Sequence, residues 1–348
     1  MNRNERIAFD QDLLSWFRKE GRDLPWRRTH NPYYIWVSEV MLQQTQVDTV
    51  KPYYKQFITD FATPEDLANA PEQDVLKHWE GLGYYSRARN LQQGVREVVA
   101  RYDGQVPDEK RKLLDLHGIG PYTAGALLSI AFGQPEAAID GNVMRVMSRV
   151  FMIDADIAKA KSKKVFEDVV EGLICETDPS AFNQAVMDLG AMICRPKNPN
   201  CPECPVRRHC KAYANSVQEQ FPVKTRRIKQ RTVYYLVLLI RDTSGRFFIE
   251  RRPDTGLLAG LWQFPMIDYE AGHELYVLTD VQHESFHYVH HFSHLIWDLT
   301  LCQLAADNLE ANSITKNGNW VDFNELSSYP FPVAHQKVIE WIKTNQLN

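Results

Sequence analysis

From Arg6 to about Val217 the apolar residues recur three and four positions apart, and strict alternation is scarce, which predicts an all-α region. Asn31-Pro32, Thr63-Pro64, Ala70-Pro71, Val106-Pro107 and Gly133-Gln134-Pro135 cut it into short helices, because proline removes a backbone donor and restricts the residue before it. After a basic stretch the pattern changes. Val233 to Arg241, the turn Asp242-Thr243-Ser244-Gly245 and Arg246 to Glu250 read as strand, turn and returning strand, and Leu295 to Leu304 reads as a further strand. A second domain, of α+β type, is therefore expected from about residue 232.

Composition adds bounds. A chain of 348 residues, 44% hydrophobic and 24% charged, can bury more than one core. The start, MNRNERIAFDQDLL, carries charge where a signal peptide needs an apolar stretch. The longest purely apolar run, Val233 to Ile240, falls well short of the roughly 20 residues that span a bilayer. No membrane association and a cytoplasmic location are expected. The net charge of −4 is unevenly spread: residues 1–231 hold 33 Lys/Arg against 30 Asp/Glu, and 232–348 hold 7 against 14. Pro205 to Arg231 alone carries Arg207, Arg208, Lys211, Lys224, Arg226, Arg227, Lys229 and Arg231 against Glu219, a stripe suited either to phosphate or to a solvated linker.

Cys194, Cys201, Cys204 and Cys210 form a C-x6-C-x2-C-x5-C cluster that can close four thiolates around one metal centre. One C-x2-C pair flanked by single cysteines at unequal distances suits an iron–sulfur cluster, while zinc and unliganded or disulfide-bonded cysteines stay open on spacing alone. Cys175 and Cys302 read as reduced core thiols. Upstream, Leu116-His117-Gly118-Ile119-Gly120-Pro121-Tyr122 joins two helices through a turn in which Gly118 and Gly120 allow close approach and the following helix start can meet a phosphate. Asp140, in Ile139-Asp140-Gly141-Asn142, stands just before a helix, where by itself it reads as an N-cap. Glu39 is the only charge between Arg28 and Asp48; among Trp36, Val37, Val40 and Leu42 its carboxyl could stay protonated near neutral pH. The alternative is an ordinary polar stripe with Gln43 and Gln46.

Together these segments closely resemble the adenine DNA glycosylases of the MutY family, over nearly the whole chain. The resemblance implies a multidomain protein: an all-α helix-hairpin-helix glycosylase with a [4Fe–4S] loop, followed by an α+β Nudix-like domain. It places the catalytic region at 1–216, with a six-helix lobe at about 26–135 and an iron–sulfur lobe from 1–25 plus 136–216. A basic linker would follow at 217–231 and the lesion-recognition domain at 232–348. It implies a monofunctional enzyme, expected to be a monomer, that binds double-stranded DNA and excises adenine opposite 8-oxoguanine or guanine, starting base-excision repair. One [4Fe–4S] cluster would be held by the four cysteines.

Residue by residue, Glu39 would protonate the adenine ring and Asp140 stabilise or capture C1′, with Tyr122 and Asn142 in support. Trp26, Arg27, Leu42, Val47 and Gln184 would line the pocket for the flipped base. Gln44, Thr45, Leu82 and the wedge Tyr84 would meet the vacated stack and the lesion. Phe292, Ser293 and His294 match the family's F-S-H loop, in which Ser293 would contact the edge of 8-oxoguanine. No acidic helix of R-E-x-x-E-E type lies between Pro265 and Phe292, so nucleotide hydrolysis is not expected. Where sister enzymes of endonuclease III type carry a Schiff-base lysine, this chain has Tyr122. That position, the Glu39 segment and the appended domain count against a thymine or pyrimidine glycosylase; a non-catalytic iron–sulfur DNA-binding protein would leave Glu39 and Asp140 unexplained.

Overall fold

Helices fill the first two thirds of the chain: α1 Arg3–Glu20, α2 Pro32–Leu42, α3 Val47–Asp60, α4 Pro64–Asn69, α5 Glu72–His78, α6 Ser86–Tyr102, α7 Lys110–Leu114, α8 Pro121–Ile130, α9 Gly141–Phe151, α10 Lys163–Glu171, α11 Pro179–Asp188 and α12 Lys211–Ala214; the breakers above begin α2 and follow α3, α4, α6 and α8. This computed structural model describes residues 1–225, 230–268, 282–305 and 318–345; Arg226, Arg227 and Lys229 of the basic stretch lie outside them. Capping chemistry sets many starts. Asn2 and Glu5 form a reciprocal capping box on α1, Asn31 accepts from the N–H groups of Tyr33 and Tyr34 with Pro32 at the first helical position, and Asp178 caps α11. Helix α2 is buried on every side, from Tyr33 to Met41, so it is a core helix rather than an amphipathic one.

The contacts divide the chain into two units: Met1–Asn69 with Asn90–Arg226, and Ala70–Arg89 with Arg227–Asn348. Residues 70–89 read as part of the helical region from their pattern, yet they pack with the C-terminal residues. Lys77 Nζ donates to Tyr329 O at 3.1 Å, Phe331 N to Glu80 Oε1 at 2.8 Å, and Trp262 Nε1 to Gln73 Oε1 at 2.9 Å. Hydrophobic periodicity reports that a face is buried and says nothing about which element buries it.

In the second unit a seven-stranded sheet comprises β1 Arg231–Arg241, β2 Phe247–Arg251, β3 Trp262–Gln263, β4 Met266–Asp268, β5 Gln282–His291, β6 Leu295–Ala305 and β7 Gly318–Val321. Its main order is β3-β2-β1-β6-β5, with β4 paired to β1 and β7 to β2. β1 runs parallel to β6, from Arg231 opposite Leu295 to Arg241 opposite Ala305. Val237 and Leu239 enter one core with Trp297, Leu299, Leu301 and the helix α13 Val333–Thr344, while Leu236, Leu238 and Ile240 enter another with Phe248 and Leu304. Burial on both faces explains the continuous apolar run in the sequence. The β5–β6 turn is closed by Phe292 N donating to Leu295 O at 2.8 Å and carries Phe292, Ser293 and His294.

Candidate active site

Residues from separated stretches of the first unit meet in a cleft of about 820 Å³. Trp26, Arg27, Glu39, Leu42, Gln44, Thr45, Val47, Tyr122, Asp140, Asn142 and Gln184 all line it. Helix α2 delivers Glu39, the one charge on an otherwise apolar helix, and leaves it only 5% exposed. Gln44, at φ 60°, takes the left-handed region just beyond the end of α2. Tyr122, in the first turn of α8, donates its hydroxyl to Glu39 Oε2 at 2.5 Å. Burial pushes the Glu39 carboxyl up to about 7; the Tyr122 hydrogen bond and the Arg27 charge oppose that rise, and the charge of Asp140 adds to it.

Asp140 is both the N-cap of α9 and a wall of the cleft. Its Oδ1 accepts from Val143 N at 2.7 Å and its Oδ2 from Asn142 Nδ2 at 2.8 Å. Burial raises this carboxyl too, but those two donors and the nearby Arg145 work the other way. Burial leaves both carboxyls above their ordinary range, but Asp140 has two donors that favour its charged form where Glu39 has the Tyr122 hydroxyl.

The approach to Asp140 is clamped. Asn183 on α11, 1% exposed, accepts from Ala138 N at 3.2 Å and donates to Glu136 O at 2.9 Å. Gly125 lets α8 pass beneath: a Cβ there would lie 2.1 Å from Ala137 O. Arg145 ties the cap to the cysteine loop, with Nη2 on Asn142 Oδ1 at 2.7 Å and Nε on Cys194 O at 2.8 Å. The sequence reading passed over Asn183, Arg145 and Asp188. For Asp188 a signal existed, since it is the only charge between Asp178 and Arg195, the same kind of isolation that marked Glu39.

The hairpin glycines stand apart from the cleft. Gly118, at φ +77°, could not carry a Cβ without meeting Asn90 Cβ at 2.8 Å, whereas Gly120 is the extended N-cap of α8 and faces open space. No side chain caps that helix start. Cys194, Cys201, Cys204 and Cys210 border one cavity. Buried Arg149 reaches Cys194 Sγ at 3.3 Å and Arg195 O at 2.7 Å, and Cys210 Sγ donates to Arg149 O at 3.4 Å. Burial pushes the Cys204 thiol up to about 12 and raises Cys201 and Cys210 as well. Among the described residues no three His, Cys, Asp or Glu side chains are gathered as ligands of a single ion.

The remaining residues of interest lie in the second unit. Leu82 is buried, and Tyr84, at φ 49° and 44% exposed, shares a hydrogen bond of 2.7 Å with Ser293 Oγ. Tyr84 and Ser293, but not Leu82, border a cavity of about 460 Å³ with Arg89, Leu257, Leu258 and Phe292. Phe292 is held edge-on between His290 and Trp297, at ring distances of 4.5 and 4.9 Å. His294 is exposed on the same turn.

The stretch that carries Glu39, Tyr122 and Asp140 matches, over residues 37–172, the family model of the HhH-GPD superfamily base excision DNA repair proteins; a NUDIX domain model matches 236–341. The chain is 36% identical to rat adenine DNA glycosylase over 95% of its own length and 77% of that protein's. It is 34% identical to the human enzyme, over 96% and 74%, and 32% identical to adenine DNA glycosylase of Buchnera aphidicola subsp. Baizongia pistaciae, over 97% of each. Among solved structures, a thermostable thymine-DNA glycosylase is similar at TM-score 0.54 and 30% identity, over 61% of this chain and 98% of that one. A trapped endonuclease III–DNA covalent intermediate is similar at TM-score 0.53 and 25% identity, over 61% and 97%. The chain belongs to the adenine DNA glycosylase family, base-excision repair enzymes that bind DNA and hydrolyse the N-glycosyl bond of adenine.

Proposed function

We propose that the protein is a monofunctional, monomeric glycosylase that removes adenine paired with 8-oxoguanine or guanine in duplex DNA. The observation that carries this reading is the pairing in one cleft of Glu39, its carboxyl pushed up to about 7, with the hydrogen-bonded Asp140. Adenine leaves C1′ with the bonding electron pair, and a proton from Glu39 to a ring nitrogen makes it a neutral leaving group. The Asp140 carboxylate balances the positive charge that develops on the deoxyribose. Water then adds to C1′ and gives up its proton to a carboxylate, leaving an abasic site. Tyr122 cannot form a Schiff base, and its hydroxyl is already donated to Glu39. Lys163 also lines the cleft, which makes it the residue to remove when strand cleavage is tested.

The four cysteines suit one [4Fe–4S] cluster. They border one cavity, and a cubane takes one thiolate at each of four irons. When bound, the cluster would supply the crosslink that stiffens the loop from Cys194 to Cys210. The loop itself is also tied to α1, since Asp12 accepts from Arg208 Nε at 2.7 Å and pairs with His209 Nε2 at 2.9 Å. Arg208 is largely exposed, so its ion pair with Asp12 can be exchanged for a DNA phosphate at little cost.

Lesion choice is assigned to the second unit, where Tyr84 and Ser293 present adjoining hydroxyls at an apolar cavity. The test is single-turnover treatment of A:8-oxoguanine, A:G, T:G and uracil-containing duplexes, with abasic sites scored with and without alkali. Excision confined to the two adenine mispairs, with strand breaks only after alkali, is expected. Release of thymine or uracil, or breaks without alkali that vanish in Lys163→Ala, would overturn the substrate or the monofunctional part of the reading.

A further inference from the structure

Asp188 ends α11 with no exposed side-chain surface, yet its carboxylate accepts five hydrogen bonds from two arginines of another segment. Arg22 gives its backbone N–H at 3.0 Å, Nε at 2.8 Å and Nη2 at 2.5 Å; Arg27 gives Nη1 at 2.7 Å and Nη2 at 2.9 Å. Both arginines line the cleft and Asp188 does not. Arg27 Nη1 also donates to Arg22 O at 2.9 Å, and the guanidinium centre lies 5.2 Å from the Phe17 ring centroid. The fork is thus held on three sides, leaving its Nε–H and one Nη2–H as donors. Burial works to raise the Asp188 carboxyl, but the bonds and charges of Arg27 and Arg22 outweigh it and hold the group below the usual carboxylate range.

We propose that Asp188 is a positioning residue for base release: acting through Arg27, it locks the guanidinium in the cleft and offsets the positive charge that Glu39 faces. The inference rests on the reading of Glu39 as the acid. Three groups on other elements face Glu39: Tyr122 from α8, Asp140 from the cap of α9, and Arg27 from the Pro25–Arg27 turn. Helix α2 itself carries no other charged residue. Tyr122 donates to Glu39, and Asp140 opposes its ionisation. Arg27 is the cation of this set and favours the ionised form, in which Glu39 has no proton to give. Asp188 limits that influence without touching Glu39.

The experiment is the pH profile of single-turnover adenine release for the full chain, Asp188→Asn, Arg27→Gln and the double variant, with Glu39→Gln as reference and thermal unfolding to confirm folding. The Asp188→Asn amide leaves Arg27 uncompensated, so the alkaline limb should move down by about half to one pH unit, and Arg27→Gln should move it up by a similar amount. The double variant should follow Arg27→Gln, because Asp188 acts through Arg27. A lower plateau with an unmoved limb in Asp188→Asn would reduce Asp188 to a structural ion pair and overturn the proposal. Should Asp188→Asn fail to fold, Arg27→Gln decides alone, since Asp188 keeps Arg22: an unmoved or lowered limb refutes it. Activity surviving in Glu39→Gln would instead sink the acid assignment, a separate failure.

Discussion

The cleft and the Tyr84–Ser293 cavity show two ways of placing polar groups. In the cleft the polar groups are buried or half-buried and cross-braced: Glu39 on Tyr122, Asp140 on Val143 and Asn142, Arg27 on Asp188. At Tyr84 and Ser293 two exposed side chains on turns share one hydrogen bond, one of them in a left-handed backbone conformation. The contrast follows from the work each region is proposed to do. Moving a proton to a base requires a carboxyl that water does not reach and that cannot reorient, whereas reading a base edge requires groups that a duplex can touch. Substitutions in the cleft should therefore abolish the reaction, while those at the cavity should change which duplex is preferred.

The largest effects fall on the two acids. Glu39→Gln keeps shape and loses the proton, so single-turnover excision should drop by about a thousandfold or more with lesion-duplex binding retained. Asp140→Asn should inactivate comparably, whereas a loss of thermal stability alone would mark Asp140 as a helix cap and nothing else. The wild-type rate should fall as pH rises through about 7, where Glu39 ionises.

Next is the cysteine loop. The purified protein should be yellow-brown with about four irons per chain. Cys204→Ser should lose iron and weaken DNA binding; a colourless protein with one zinc and full activity would refute the cluster.

At the cavity, Ser293→Ala should lower the preference for A:8-oxoguanine over A:G by roughly tenfold, about 1.4 kcal/mol and towards the low end of the about 1–3 kcal/mol that one discriminating contact is worth. Tyr84→Phe, which removes the hydroxyl partner, should lower it in the same direction, and equal ratios in all variants would remove lesion reading from this unit. Deletion from Thr232 onward is a blunter instrument. It also strips the partners of Gln73, Lys77 and Glu80, so residues 70–89 should become protease-sensitive in the truncated chain.

The smallest expected effect is on stability, and its sign separates Glu39 from a structural carboxylate. Its folded-state carboxyl is raised from 4.5 to about 7, so the protonated fold is unpenalised below about pH 4.5 and progressively destabilised as pH climbs through 7. Glu39→Gln should then unfold several degrees higher than wild type at pH 8 and at the same temperature near pH 4.5. A variant less stable at pH 8 would mean that the carboxyl is held as an ion.

Much of the local architecture was legible without coordinates. Breakers marked the short helices, a continuous apolar run marked the strand β1, and an isolated charge in an apolar stretch marked Glu39. The identity of the glycine turn at 116–125 and the spacing of the four cysteines were equally plain, because such signals depend on neighbours a few residues away.

Other facts exist only in three dimensions. Asp140 and Glu39 are 101 positions apart in the sequence and share a cleft only because α2, α8 and the α9 cap converge there. Arg22 and Arg27 find Asp188 across more than 160 positions, and residues 70–89 join strands that begin at Arg231. Propensity, capping and periodicity are properties of short windows, so the sequence by itself determined the elements and flagged the unusual residues. Burial, charge compensation and hydrogen-bond pairing are sums over whatever packs nearby, so the tertiary structure alone decided which donors and charges surround each carboxyl.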